Sequence, residues 1–93
     1  MAQSTHHRHY RALLAVLRQA REGLGMSQAA LGERLGNTQT FVSKVERGER
    51  RLDVVEFVEW CQALDAAPEE IFGKFLLERG RGRGSKLRST ARA

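Results

Sequence analysis

Gln39, Thr40, Ser43 and Lys44 fall within six consecutive positions, and each carries a group able to bond a nucleobase edge. Glutamine offers adenine a paired donor and acceptor, the threonine methyl fits that of thymine, and lysine donates to the acceptors of guanine. Lys44, Arg47, Arg50 and Arg51 add four cations within eight positions, a density suited to phosphates. An ordinary solvated face has the same composition, so the meaning of the run depends on whether it flanks a helix that enters a groove. No comparable set supports covalent chemistry. The patterned segments hold no nucleophile beside a base, no paired carboxylates and no metal-ligand spacing. Gly80, Gly82 and Gly84 lack the strand and helix that make a phosphate loop, and His6, His7 and His9 cluster without a carboxylate or cysteine. The expectation is a non-enzyme with no cofactor and no metal.

Two short helices must position these side chains, and residues 27–48, SQAALGERLGNTQTFVSKVERG, read as that pair. Ser27 is a good N-cap, and Leu31 and Leu35 fall four apart on one face of a helix over about 28–35. Gly36 closes it, because glycine adopts the left-handed conformation at little cost, and Thr38 offers a second N-cap. Over about 38–47, Phe41, Val42 and Val45 form an apolar stripe and the polar residues point away from it. Two helices joined by a short glycine-bearing turn fit the helix-turn-helix, whose second helix enters the major groove. On pattern alone, a core hairpin with a solvated polar face fits as well.

The surrounding chain reads as support. Tyr10, Leu13, Leu14, Leu17, Ala20 and Leu24 recur at helical spacing over about 10–23. Asp53 and Glu56 form a capping-box start for a helix over about 54–65, on which Val54, Phe57, Val58, Cys61 and Leu64 make the inner stripe and Trp60 lies at its margin. Pro68, Glu69 and Glu70 suit the first turn of a last helix over about 68–78. Ile71, Phe72, Phe75, Leu76 and Leu77 exceed what one face buries, so Trp60, Ile71, Phe72, Phe75 and Leu76 are candidates for a dimer interface.

Ninety-three residues make one small domain with a modest core. Its boundaries are a polar arm over 1–9, a folded part over 10–78 and a basic tail over 79–93, with both ends disordered. The net charge of +5 is concentrated: six of 16 basic residues and none of 11 acids lie in the tail, leaving residues 1–78 at −1. Any DNA-facing surface therefore arises from segregated charge. A single cysteine, Cys61, excludes an internal disulfide and suits a reducing cytosol. No apolar run reaches the roughly 18 residues of a membrane span and no signal-peptide core is present, so the expected setting is the bacterial cytoplasm or nucleoid.

Residues 21–64, REGLGMSQAALGERLGNTQTFVSKVERGERRLDVVEFVEWCQAL, resemble the XRE family of lambda-repressor-like DNA-binding domains, with the turn, the second helix and the following loop in one unbroken run. Leu31, Leu35, Val42 and Val45 lock the two helices together only if Gly32 is small enough for the turn to pack closely. Asn37 departs from the family's usual apolar residue and Gly32 from its commoner alanine, departures that leave the fold intact and are expected to loosen the turn. The resemblance implies an all-α, compact five-helix domain that regulates transcription by binding double-stranded DNA at a two-fold operator as a homodimer, commonly as a repressor. It implies that Gln39, Thr40, Ser43 and Lys44 face base edges, and that Gln28, Asn37, Thr38, Arg47, Arg50 and Arg51 contact phosphates. It also implies an ion pair between Arg21 and Glu46 that fixes the first helix against the third. The alternative is a protein-interaction module of antitoxin or adaptor type, in which the same fold meets another protein and DNA contact is secondary.

Overall fold

Helix boundaries in this chain are set by capping groups that act over two to four residues. The computed structural model describes residues 7–81 and contains five helices: α1 (Arg8–Gly23), α2 (Gln28–Leu35), α3 (Gln39–Glu46), α4 (Val54–Ala63) and α5 (Pro68–Arg81). No strand occurs among the described residues. The expected arm before residue 7, His6 included, and the expected tail beyond residue 81 lie outside the described residues.

The His7 imidazole accepts the His9 backbone N–H at 3.0 Å and caps α1 two residues before its apolar stripe begins, so Arg8 and His9 belong to the helix and not to an arm. Ser27 Oγ accepts from Ala30 N–H at 3.0 Å, and Gly36, at φ 68°, closes α2 in the left-handed region. Two residues on, Thr38 Oγ1 accepts from Phe41 N–H at 3.0 Å and opens α3. Asp53 and Glu56 exchange side-chain and backbone hydrogen bonds of 2.7 and 2.9 Å at the start of α4. At the other end of the chain α5 continues through Arg81. Arg79 and Gly80, assigned to the tail by composition, are thus helical, since extending an existing helix costs far less than nucleating one.

Leu17, Leu31, Val42, Val45, Trp60 and Cys61 are almost completely removed from solvent and join α1 to α4 in one core, with Tyr10, Leu14, Val16, Leu64 and Ile71 around them. α1 packs on α5 and α3, α2 on α3 and α4, and α4 on α5. Because α4 is covered on two sides, Trp60 is 1% exposed and packs on Phe41 with ring centroids 5.8 Å apart. Trp60 therefore leaves the list of interface candidates, and so does Ile71 at 3% exposure. In the opposite sense Val54 and Leu24, expected in the inner stripes, are exposed: Val54 begins α4 ahead of the core and Leu24 lies beyond the end of α1.

The close approach of α2 and the turn bears out the need for a small residue at Gly32 and corrects the expectation that glycine loosens the turn. A β-carbon there would lie 2.9 Å from both the carbonyl carbon and the oxygen of Thr38, and 3.2 Å from the Asn37 oxygen. Glycine does not loosen this turn; it is the residue that lets the turn seat on α2.

Candidate nucleic-acid interface

α3 has two unlike faces. Val42 and Val45 are wholly buried and Phe41 is half-buried, which fixes the rotation of the helix about its own axis. Gln39, Thr40 and Lys44 are consequently held out in solvent, with Ser43 half-covered at the edge. The Lys44 ammonium faces no acid among the described residues. Thr38 and Asn37 lie exposed at the N-terminal end of the same helix, where backbone N–H groups attract anions. Their acceptors are engaged in shaping the turn: Asn37 Oδ1 takes the Thr38 N–H at 2.8 Å while Thr38 Oγ1 caps α3.

A chain of hydrogen bonds ties this exposed face to the rest of the domain. Arg21, buried at the end of α1, donates from Nε to Glu46 Oε2 at 2.7 Å and from its terminal nitrogen to Oε1 at 3.0 Å. Its remaining nitrogen donates to the Met26 carbonyl at 2.7 Å, so the guanidinium is satisfied on three sides. Gln28 Nε2 donates to the same Glu46 Oε1 at 3.0 Å, and Gln39 Nε2 reaches Gln28 Oε1 at 3.4 Å. Arg21, Glu46, Gln28 and Gln39 thus link α1, the end of α3, the start of α2 and the start of α3. Gln28 keeps one amide N–H beyond its bond to Glu46.

The loop after α3 carries the arginines, and each is already engaged. Arg47 donates to both oxygens of Glu49, at 2.9 and 3.1 Å, and to Ser43 Oγ. Arg50 pairs with both oxygens of Glu56 at 2.8 Å and lies 5.1 Å from the Phe41 ring centroid. The Arg50 guanidinium, followed by the Asp53 N–H, holds the Glu56 carboxyl below its ordinary range. Arg51 stacks over Tyr10 at 4.8 Å. Tyr10 also fastens the loop to α1, since its hydroxyl donates to the Arg50 carbonyl and accepts from Leu52 N–H, both at 3.1 Å. Burial is the main reason that this hydroxyl titrates above the usual tyrosine range.

Three of these participants escape sequence reasoning. Tyr10 reads as one more member of an apolar stripe, Glu56 reads only as half of a capping box, and Glu49 reads as a loop acid. Nothing local signals Tyr10, whose partners lie 40 and 42 residues away. The alternation of signs in residues 46–51, by contrast, is visible in the chain and is the one cue to arginine pairing.

Away from α3, Phe72, Leu76 and Leu77 of α5 are 49%, 48% and 67% exposed, with Phe75 half-buried beside them. The aromatic rings of Phe57, Phe72 and Phe75 form a continuous run, with centroids 6.4 and 5.6 Å apart. No group of three or more His, Cys, Asp or Glu side chains able to hold a metal occurs among the described residues, and no described helix is long and apolar enough to cross a membrane.

Comparison with known proteins gives concordant results. A helix-turn-helix family model matches residues 17–71, more than half of the chain. An XRE-family like protein from Pseudomonas syringae pv. tomato str. DC3000 is similar at 41% identity and a TM-score of 0.73, over 82% of this chain and 93% of that one. The restriction-modification controller protein C.AhdI from Aeromonas hydrophila is similar at 36% identity and a TM-score of 0.60, over 71% of this chain and all of that one. No curated protein matches the chain.

Proposed function

The chain belongs to the XRE-type helix-turn-helix family of DNA-binding transcriptional regulators, which are not enzymes, and from that premise we propose that it reads a two-fold operator with α3 as one half of a homodimeric repressor. The observation that carries this reading is the division of α3 into a buried face, Val42 and Val45, and an exposed face, Gln39, Thr40 and Lys44. A helix locked on one side and bare on the other presents its side chains in one orientation, as base readout requires.

In this reading Gln39, Thr40, Ser43 and Lys44 meet base edges. Gln28, Asn37 and Thr38 bind phosphates at the helix starts, and Arg47, Arg50 and Arg51 bind those flanking the groove. Gln28 both braces Gln39 and keeps an N–H for the backbone, which couples register to readout. The apolar patch of Phe72, Phe75 and Leu76 joins two copies, and a two-fold dimer places its two α3 helices on successive major grooves, about 34 Å apart. Repression follows where the operator overlaps a promoter. The proposed setting is the bacterial cytoplasm or nucleoid, a reading supported by similarity to proteins of two bacteria.

Selection of binding sites from a random duplex library, with the wild type beside a Gln39→Ala, Lys44→Ala double variant, tests the reading. A two-fold motif that degrades in the variant supports it. Absence of any enriched motif, with binding lost as salt rises, overturns base readout by α3. It also shifts the reading to a protein-interaction module whose α5 patch meets a different partner.

A further inference from the structure

Arg47 and Arg50 face a competition that the base-reading face does not. Each guanidinium is held in a two-pronged pair by a carboxylate of the same chain, Arg47 by Glu49 and Arg50 by Glu56, whereas Lys44 in the middle of the reading face has no acidic partner among the described residues. The geometry is the one a phosphate would use, because two carboxylate oxygens occupy the fork that two phosphate oxygens would fill. From this arrangement, and resting on the DNA-binding reading above, we infer that Glu49 and Glu56 are specificity-determining residues, which occupy the phosphate-binding forks of Arg47 and Arg50 until a DNA backbone in correct register displaces them.

The selectivity has a physical origin. Binding to arbitrary DNA draws nearly all its free energy from phosphate neutralisation, with no fixed register. A sliding complex meets each arginine with a phosphate only part of the time, and a covalently tethered carboxylate wins that contest. When base contacts by α3 fix the register, phosphates stand in place opposite Arg47 and Arg50, and the exchange goes to completion. The Arg47–Glu49 pair is exposed and the Arg50–Glu56 pair partly so, so each is a small barrier, of the size that ion pairs in contact with solvent normally show. Small is sufficient, since genomic discrimination multiplies modest ratios over many competing sites. The loop supports the exchange without collapsing, because Tyr10 holds its backbone through the Arg50 carbonyl and the Leu52 N–H, independently of either carboxylate. Arg47 also bonds Ser43 Oγ, so releasing Glu49 leaves Arg47 anchored at the edge of the reading face.

The test is a salt series of binding to a mixed-sequence duplex of about 30 base pairs, followed by fluorescence anisotropy with the full chain. The proteins are the wild type, Glu49→Gln, Glu56→Gln and the same-charge control Glu70→Gln on α5, which packs against α1 and α4. Glutamine at 56 retains the capping geometry, so α4 keeps its start. Glu49→Gln and Glu56→Gln are each expected to raise generic affinity about two- to fivefold, and to steepen the logarithmic salt slope by about 0.9 for the phosphate gained. Glu70→Gln, on a helix that makes no DNA contact in this reading, is expected to change neither. In an Arg47→Gln background the gain from Glu49→Gln should vanish, which separates the pair from the mere change of net charge. On a selected operator the gain should be smaller, so the ratio of specific to generic affinity falls. Equal effects at positions 49, 56 and 70, or a gain that survives Arg47→Gln, would overturn the inference. The duplex series needs no operator, so a library selection without a motif would sink base readout by α3 and still leave the pairs to be judged.

Discussion

Arg21 Nε and Glu46 Oε2 stand 2.7 Å apart with both side chains almost wholly buried, although 25 residues separate them in the chain. The pair fastens the end of α1 to the end of α3 and hands the carboxylate's second oxygen to both Arg21 and Gln28.

Removing one partner strands the other charge in the interior. Arg21→Met or Glu46→Leu alone is expected to cost about 3–5 kcal/mol in urea unfolding, whereas the double substitution should recover much of that loss. A double variant as unstable as the sum of the singles would show that the two side chains act independently.

At Gly32 the close contact with the Thr38 carbonyl predicts an overpacking penalty. Alanine, normally the better helix former, should here lower stability by about 1–3 kcal/mol, seen as a reduced thermal midpoint. An unchanged or raised midpoint would mean that the turn gives way freely.

The Tyr10 hydroxyl can be removed without disturbing its ring. Tyr10→Phe leaves the Arg50 carbonyl and the Leu52 N–H without their partner and is expected to cost about 1–3 kcal/mol. Because the loosened loop carries phosphate contacts in the proposed complex, affinity should fall alike on all duplexes while sequence preference persists. Site selection with this variant checks the distinction, and an altered motif would contradict it.

Cys61 is wholly buried, and burial pushes its thiol from an ordinary 9.0 up to about 11. The folded state favours the neutral thiol, so its contribution to stability is intact below pH 9 and is lost as pH rises through 11, by about 3 kcal/mol in all. Unfolding midpoints across that range should differ between wild type and Cys61→Ala in this pH-dependent manner. At neutral pH, alkylation of the native protein should be no faster than global unfolding permits.

On α5 the exposed and buried apolar residues make opposite predictions. Phe72→Asp with Leu76→Lys should convert a dimer to a monomer in sedimentation while retaining helical circular dichroism, whereas Ile71→Asp should unfold the domain. A wild type that sediments as a monomer at micromolar concentration would remove the dimer from the proposal.

What could be read from the chain and what could not divide along the range of the forces involved. Whereas the helix-turn-helix needed the family resemblance to distinguish it from a core hairpin, the all-α class and the caps at Ser27, Gly36, Thr38 and Asp53 rest on interactions within four residues, so residue type and spacing suffice. The apolar stripe of α3 likewise names its inner face without further information. The length of α1 was underestimated because its cap is His7, a residue whose imidazole caps only by the rotamer it adopts here.

Tertiary structure alone decided which large apolar residues are covered, since burial depends on what packs opposite. Trp60 and Ile71 meet neighbouring helices while Phe72, one residue further along α5, meets solvent. It also decided that Tyr10 holds the arginine loop, and that Arg47 and Arg50 stand in pairs with Glu49 and Glu56. Hydropathy and charge are properties of a residue and are written in the sequence. Contact and competition are properties of two segments brought together, and only the folded chain determines them.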